Sequence, residues 1–323
     1  PGSLAFAANI DHFDRVCRVV KGVRGMTVGA IGARCTPFKT VRIDEVALQR
    51  AGITVETVDL SDVFARMQSV DPNSNAYKDK QEFLKSYTNL GDAPAKALDN
   101  ILRMGVVLDQ LIEEYNLDAL AIRCWLELQR QLEMSICVVV SALNNQFLAS
   151  SCEVDVGNAV AMHALSRASG NVSACLDWNN NYGDDEDKCI LFHCGPVPQD
   201  MMTEKGLVTG HAILDNAPGI ACSYGCNTGR IKPGDFTFSS MMTDAGKLKW
   251  YVGEGAFTTD PIPAEFFGCA GVAEIPNLQD VLIFAGRNGH RHHVSVTPGK
   301  VTAALSEALG YYLGHQVDAP QEK

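Results

Sequence analysis

Through the first half of the chain, compact apolar runs alternate with longer stretches in which apolar residues recur at helical spacing. A short opening helix is predicted around Asp11 to Val20. MTVGAIGA (Met26 to Ala33) then reads as a buried strand with its exit turn, Ile43 to Arg50 as a helix, ITVETVDL as a second strand, and Ser61 as the N-cap of another helix. Ala95 to Tyr115 carries leucine, isoleucine and valine at helical spacing just behind Pro94, where proline is tolerated, and DALAIR (Asp118 to Arg123) is the next strand. This β-α-β rhythm predicts a parallel, doubly wound sheet with helices on both faces and functional loops at the strands' C-terminal ends.

From about Gly210 the pattern changes to short, glycine-punctuated segments. FTFSSMM and KLKWYVG flank the turn DAG as an antiparallel hairpin, QDVLIFAG reads as a further strand, and a last helix is expected from about Pro298 to Leu313. The predicted fold is therefore α/β: a parallel, doubly wound domain over residues 1–200, followed by a β-rich, barrel-like domain over residues 201–323. The acidic run Asp184 to Asp187 is expected in a solvated loop.

Composition narrows the function. With 323 residues, 46% of them hydrophobic, the chain can bury one or two sizeable cores. A net charge of −11 without a basic stripe argues against nucleic-acid binding, and the longest apolar runs are too short to span a membrane. The eleven cysteines show no paired CxxC spacing, several lie inside apolar runs, and their odd number with no secretory leader fits reduced thiols in the cytosol.

The candidate chemistry gathers at expected strand ends. Gly29 and Gly32 lack the spacing of a dinucleotide fingerprint and read as a tight exit turn, which leaves Arg34 as a substrate contact. Trp125, Glu127 and Gln129 follow the Asp118 to Arg123 strand and are placed to line a cleft. Asp155 reads as the cap of the helix VGNAVAMHALSRA, whereas Glu153, just behind that cap, is placed to face a pocket. Asp177 ends VSACLD, either as a site carboxylate or as a turn former, and His193 ends CILFH, either as a ligand or as a hydrogen-bonded core residue.

Late in the chain His290, His292 and His293 fall within four positions. In an extended segment the first two share one face and His293 takes the other. His163 reads as a satisfied helix residue beside Met162, and His211 is open to either role. Glu153, Asp177, His193 and one late histidine make an O,O,N,N set suited to a divalent first-row metal.

At these residues the chain resembles the L-fucose isomerase and L-arabinose isomerase superfamily of metal-dependent aldose-ketose isomerases. The resemblance rests on CEVDVGNAVAMHAL, on CLDWNN with its acid 24 positions after Glu153, on FHCG, and on HHVSVTPG before the last helix; SYGCNTGRIKPGDFTF looks like the family's C-terminal domain. It implies Glu153 as metal ligand and proton-transfer residue, Asp177 as second acidic ligand, His193 as the additional histidine of the arabinose isomerase branch, and His293, with His292 as fallback, as the late ligand. It further implies a Mn²⁺-like ion, a small L-fucose- or L-arabinose-like sugar isomerised through an enediol, Trp125 and Gln129 shaping the pocket, and a cytosolic homo-oligomer, trimeric or hexameric. Family members carry a further N-terminal α/β domain ahead of the sheet that begins here near Met26, so the resemblance implies that this chain lacks it. The rival expectation is a catalytically silent sugar-binding or assembly homologue of the same fold.

Overall fold

The computed structural model describes residues 2–264 and 266–322. The apolar runs of the first half become four parallel strands, β1 (Thr27–Ile31), β2 (Thr54–Val58), β3 (Ala119–Ile122) and β4 (Ala149–Ser151), in the order β2-β1-β3-β4. Alternate β1 residues face opposite layers. Val28 and Ala30 pack with the helices Leu4–Val23 and Val156–Ser169, while Ile31 packs with the helices Leu60–Ser69, Ala95–Glu114 and Cys137–Asn145. Helices therefore cover both faces, as the rhythm predicted. Gly32, at φ +83°, makes the exit turn of β1, and its N–H donates to the Val58 carbonyl at 2.7 Å.

The second half contributes β5 (Ala174–Tyr182), β6 (Asp185–His193), β7 (Leu207–Thr209), β8 (Cys226–Arg230), β9 (Gly234–Asp244), β10 (Lys247–Phe257), β11 (Cys269–Glu274), β12 (His293–Pro298) and β13 (Gln316–Asp318). Strands β10, β9, β12, β5, β6 and β11 pair antiparallel in that order, and β11 pairs back to β10, which closes a six-stranded barrel. Leu176, Leu191, Phe236, Phe238, Tyr251, Val294 and Val296 fill its inside. On its outside Cys175, Met241, Trp250 and Val252 join the core of the Leu4–Val23 and Val156–Ser169 helices. The Val156–Ser169 helix is thus wedged between sheet and barrel, with only Arg167 and Ser169 not buried, which explains its run of small residues.

Several elements differ from expectation. Strands β5 and β6 belong to the barrel, which moves the division from residue 200 to the turn before Ala174; the acidic run starts β6 instead of forming a free loop, and Asp187 Oδ1 accepts the Leu278 N–H at 3.3 Å. QDVLIFAG is not a strand but lies in a helix, Leu278–Asn288. Leu278, Val281 and Ala285 are buried at helical spacing while Ile283 is 48% exposed, a distinction that a short apolar run does not display on its own. The N-cap of the Leu60–Ser69 helix is Asp59 rather than Ser61. The opening helix runs from Leu4 to Val23, and the last one spans Thr302–Ser306 and widens into a π-turn over Glu307–Tyr312. Among the described residues no helix is long and apolar enough to cross a membrane.

Candidate active site

The site forms where the C-terminal edge of the parallel sheet meets the outer wall of the barrel. After β4 the backbone turns sharply through Glu153 (φ 64°) and Val154 (φ 58°), both left-handed, and the Val154 N–H donates to the Ile122 carbonyl at the end of β3. Such conformations disfavour side chains other than glycine and persist where their surroundings enforce them. Here they lift the Glu153 carboxylate off the sheet edge toward the barrel.

The barrel supplies the opposite side. Asp177 on β5 and His293 on β12 are directly paired across antiparallel strands, so their side chains leave the sheet on the same face. Asp155 then fixes the imidazole. Its Oδ2 accepts the His293 Nδ1–H at 2.7 Å, and its Oδ1 accepts the Asn158 N–H at 2.9 Å and pairs with Arg291, which is fully buried. A carboxylate holding the far nitrogen of a metal-binding histidine is a recurrent device, and it leaves His293 Nε2 free. That atom stands 3.6 Å from Glu153 Oε2 and 3.6 Å from Asp177 Oδ1.

His292 completes the ring of donors. Its Nε2 lies 3.2 Å from Glu153 Oε2 and 3.9 Å from Asp177 Oδ1, while Nδ1 is bonded to Thr40 Oγ1 at 2.7 Å and the ring stacks on Phe38. The expected split of His292 and His293 onto opposite faces does not occur, because β12 begins only at His293 and strand alternation does not reach back to residue 292. His290 turns away to pack edge-on against Tyr251.

The electrostatics suit a cation site. Burial raises the Glu153 carboxyl to about 7 against the opposing pull of His292, burial also raises Asp177, and burial lowers His293. Glu153 Oε2 and His293 Nε2 are buried without hydrogen-bond partners. Ligand atoms about 2.1 Å from a shared ion stand roughly 3 Å apart at right angles, close to the separations found here. Two carboxylates and two imidazoles fit a divalent first-row ion. Among the described residues, Glu153, His292 and His293 form one group whose ligand atoms lie within 4.8 Å of one another, and Cys175, His193 and His293 form another.

The remaining expectations divide. His193 is buried with its ring 5.5 Å from that of His293, but its Nδ1 accepts the Cys194 backbone N–H at 2.9 Å. Trp125 stands edge-on to Phe38 and to His211 beside the site, with ring centroids 5.4 Å apart in each pair. Arg34 is tied into its own loop. One guanidinium nitrogen donates to the carbonyls of Cys35 (3.0 Å), Thr36 (3.4 Å) and Phe38 (3.2 Å), so the side chain shapes the loop that carries Phe38 and Thr40 over His292. Gln129 is buried instead of lining a cleft, its amide donating to the Cys124 carbonyl and to Ser135 Oγ, and Glu127 pairs with Arg123. His163 is a satisfied core residue, bonded through both nitrogens to the Asp118 and Gly22 carbonyls. His211 is buried with neither nitrogen partnered.

Sequence reasoning missed Asp155 and Arg291 as partners of His293, and Phe38 and Thr40 as partners of His292. The available signal for Arg291 was a charged residue between two histidines directly before an apolar strand. Gly157 belongs with them. A Cβ there would come within 2.7 Å of the Met241 carbonyl and closer still to the Arg291 guanidinium, so glycine makes the room for Arg291.

Comparison with known proteins adds sequence similarity to this description. Residues 191–319 match the family described as L-fucose isomerase, C-terminal domain. The sulfoquinovose isomerase of Alkalicoccus urumqiensis is 29% identical over 232 residues, which cover 72% of this chain and 52% of that protein. That of Priestia aryabhattai is 22% identical over 296 residues, covering 90% of this chain and 64% of that protein, and that of Clostridium sp. (strain MSTE9) is 24% identical over 196 residues, covering 60% and 43%. The chain's matches span between 43% and 64% of the length of these curated relatives. Taken with the barrel, the matches make residues 191–319 similar to the L-fucose isomerase C-terminal domain and most of the chain similar to sulfoquinovose isomerases.

Proposed function

We propose that this protein is a metal-dependent aldose-ketose isomerase acting on a small sugar. The observation that carries the reading is Glu153: a buried carboxylate raised to about 7, with one oxygen unpartnered and 3.6 Å from the free nitrogen of His293. A carboxylate near neutrality can take and return a proton at working pH. Glu153, Asp177, His292 and His293 would hold a Mn²⁺-like ion. When bound, that ion polarises the substrate carbonyl and acidifies the neighbouring C–H.

The chain's own residues do the rest. Glu153 removes the proton from the carbon beside the carbonyl and returns it to the former carbonyl carbon, passing through an enediol. Asp177, also raised by burial, serves the hydroxyl proton, which must pass from the neighbouring hydroxyl oxygen to the former carbonyl oxygen; two carboxyls in different surroundings can hold different protonation states. Asp155 keeps His293 in the tautomer that leaves Nε2 free. Phe38 and Trp125 supply apolar ring surface beside the site, where they exclude water from the sugar.

The relatives are named for sulfoquinovose, and the superfamily resemblance points to L-fucose- and L-arabinose-like sugars. These three sugars form the first substrate panel. A homo-oligomer in the cytosol belongs to the same proposal. The test is ketose formation from the panel by protein loaded with Mn²⁺ and by the same protein after chelation. Metal-dependent conversion of one member supports the reading. Sugar binding with no conversion by active-site-loaded protein favours the silent homologue.

A further inference from the structure

His193 is the one expected ligand whose contacts do not suit ligation. A backbone N–H can only donate, and the Cys194 N–H points at His193 Nδ1 from 2.9 Å. Cys194 Sγ lies 3.2 Å from the same nitrogen. Nδ1 is therefore the nitrogen with the lone pair, and in the neutral ring the proton sits on Nε2. To ligate a metal through Nε2, the ring would have to move its proton to Nδ1 and set it against the Cys194 N–H, or lose it and become an imidazolate.

Nε2 of His193 is itself buried and without an acceptor. A buried donor left unpaired is costly and calls for a partner. Cys175, on the outer face of β5, offers only a weak sulfur acceptor nearby. The His193 ring lies against that of His293, whose Nε2 faces Glu153 and Asp177, so the unpaired N–H belongs to the floor of the same site.

From these contacts we infer that His193 is a hydrogen-bond donor to a substrate oxygen and not a metal ligand: its Nε2–H, held in place by the Cys194 backbone, meets the oxygen on which negative charge builds during enediol formation. A fixed donor aimed at developing charge stabilises it without giving up a proton. No proton leaves His193; the proton exchanged between carbons travels on Glu153. The inference rests on the isomerase reading for its substrate, whereas its statement about metal does not.

The test separates the two. Mn²⁺ affinity, and the affinity of the Mn²⁺-loaded protein for a four-carbon aldonohydroxamate as enediolate mimic, are measured for wild type, His193→Ala and His193→Gln. The glutamine amide nitrogen can donate from near the Nε2 position but is not a metal ligand. Expected are Mn²⁺ affinities within about twofold in all three, hydroxamate binding about ten- to a hundredfold weaker in the alanine variant, and recovery of at least part of that loss in the glutamine variant.

Weakened Mn²⁺ binding in both variants makes His193 a ligand and overturns the inference. Unchanged hydroxamate binding in His193→Ala overturns it as well. If the wild type isomerises nothing, the isomerase reading fails while these two affinities still decide the role of His193. If it takes up no Mn²⁺, the metal reading fails, and so does the inference, whose donor is placed beside a metal-held substrate.

Discussion

Asp155→Asn is the sharpest perturbation of the site, because it alters one atom of a residue that touches no substrate. The carboxylate accepts from three donors: the Asn158 N–H, Arg291 and the His293 Nδ1–H. An asparagine has one acceptor oxygen and brings two N–H donors of its own, so at least one of the three loses its partner. If the oxygen stays with the helix and Arg291, the new amide faces His293 Nδ1, drives the proton to Nε2 and blocks that nitrogen as a ligand. If it turns to His293, the buried Arg291 is left without an acceptor.

Loss of the charge opposite Arg291 costs about 3–5 kcal/mol of stability, part of it relieved because burial already lowers Arg291 to about 9. Disturbing the support of His293 weakens Mn²⁺ binding by about ten- to a hundredfold. Urea unfolding of metal-free protein and calorimetric Mn²⁺ titration measure the two effects. The double variant Asp155→Asn, Arg291→Met separates them, since it recovers stability while Mn²⁺ affinity stays low. Wild-type Mn²⁺ affinity in a folded Asp155→Asn protein would refute the reasoning.

Other consequences are equally direct. Because burial lifts Glu153 to about 7 from the 4.5 of an ordinary glutamate, the unfolded chain loses this proton first as pH rises. Metal-free stability attributable to Glu153 is therefore fully present below about 4.5 and falls as pH rises to about 7. The loss is on the order of 3 kcal/mol at 1.36 kcal/mol per unit. Glu153→Gln should remove that slope in unfolding midpoints taken from pH 5 to pH 8. Over the same range Mn²⁺ affinity of the wild type should rise, because binding displaces the proton. Gly157→Ala pushes a methyl group into Arg291 and the Met241 carbonyl and should cost about 1–3 kcal/mol, read as a lower urea midpoint. Thr40→Val removes the bond to His292 Nδ1 and should raise KM severalfold with little change in stability.

Much of this architecture could be read from residue patterns. Strand runs such as Val28 to Ile31 and the helical spacing of Ala95 to Glu114 survive in the fold because local propensity and burial agree there. Where the two elements share residues, pattern was insufficient. The Val156–Ser169 helix is buried nearly all round by sheet and barrel, and β5 and β6 look like a continuation of the α/β rhythm until their partners β11 and β12, about a hundred residues later, are known.

The site shows the same limit. Glu153 and Asp177 stand out as carboxylates at the ends of apolar segments. Asp155, however, caps a helix and also holds His293, and only the first role has a local sequence signal. The opposite roles of two buried histidines, His193 and His293, follow from which nitrogen each neighbour occupies, and residue order carries no information about that.

The central claim is that Glu153 moves a proton between sugar carbons at this site. Proton NMR in D₂O tests it most directly, by following the hydrogen on the carbon beside the carbonyl while Mn²⁺-loaded wild-type and Glu153→Gln proteins act on L-fucose, L-arabinose and sulfoquinovose. The account predicts that wild type replaces that hydrogen with deuterium in at least one sugar, only with metal present, and that the variant, still folded, slows exchange by at least about a hundredfold. Equal exchange by wild type and Glu153→Gln would contradict it.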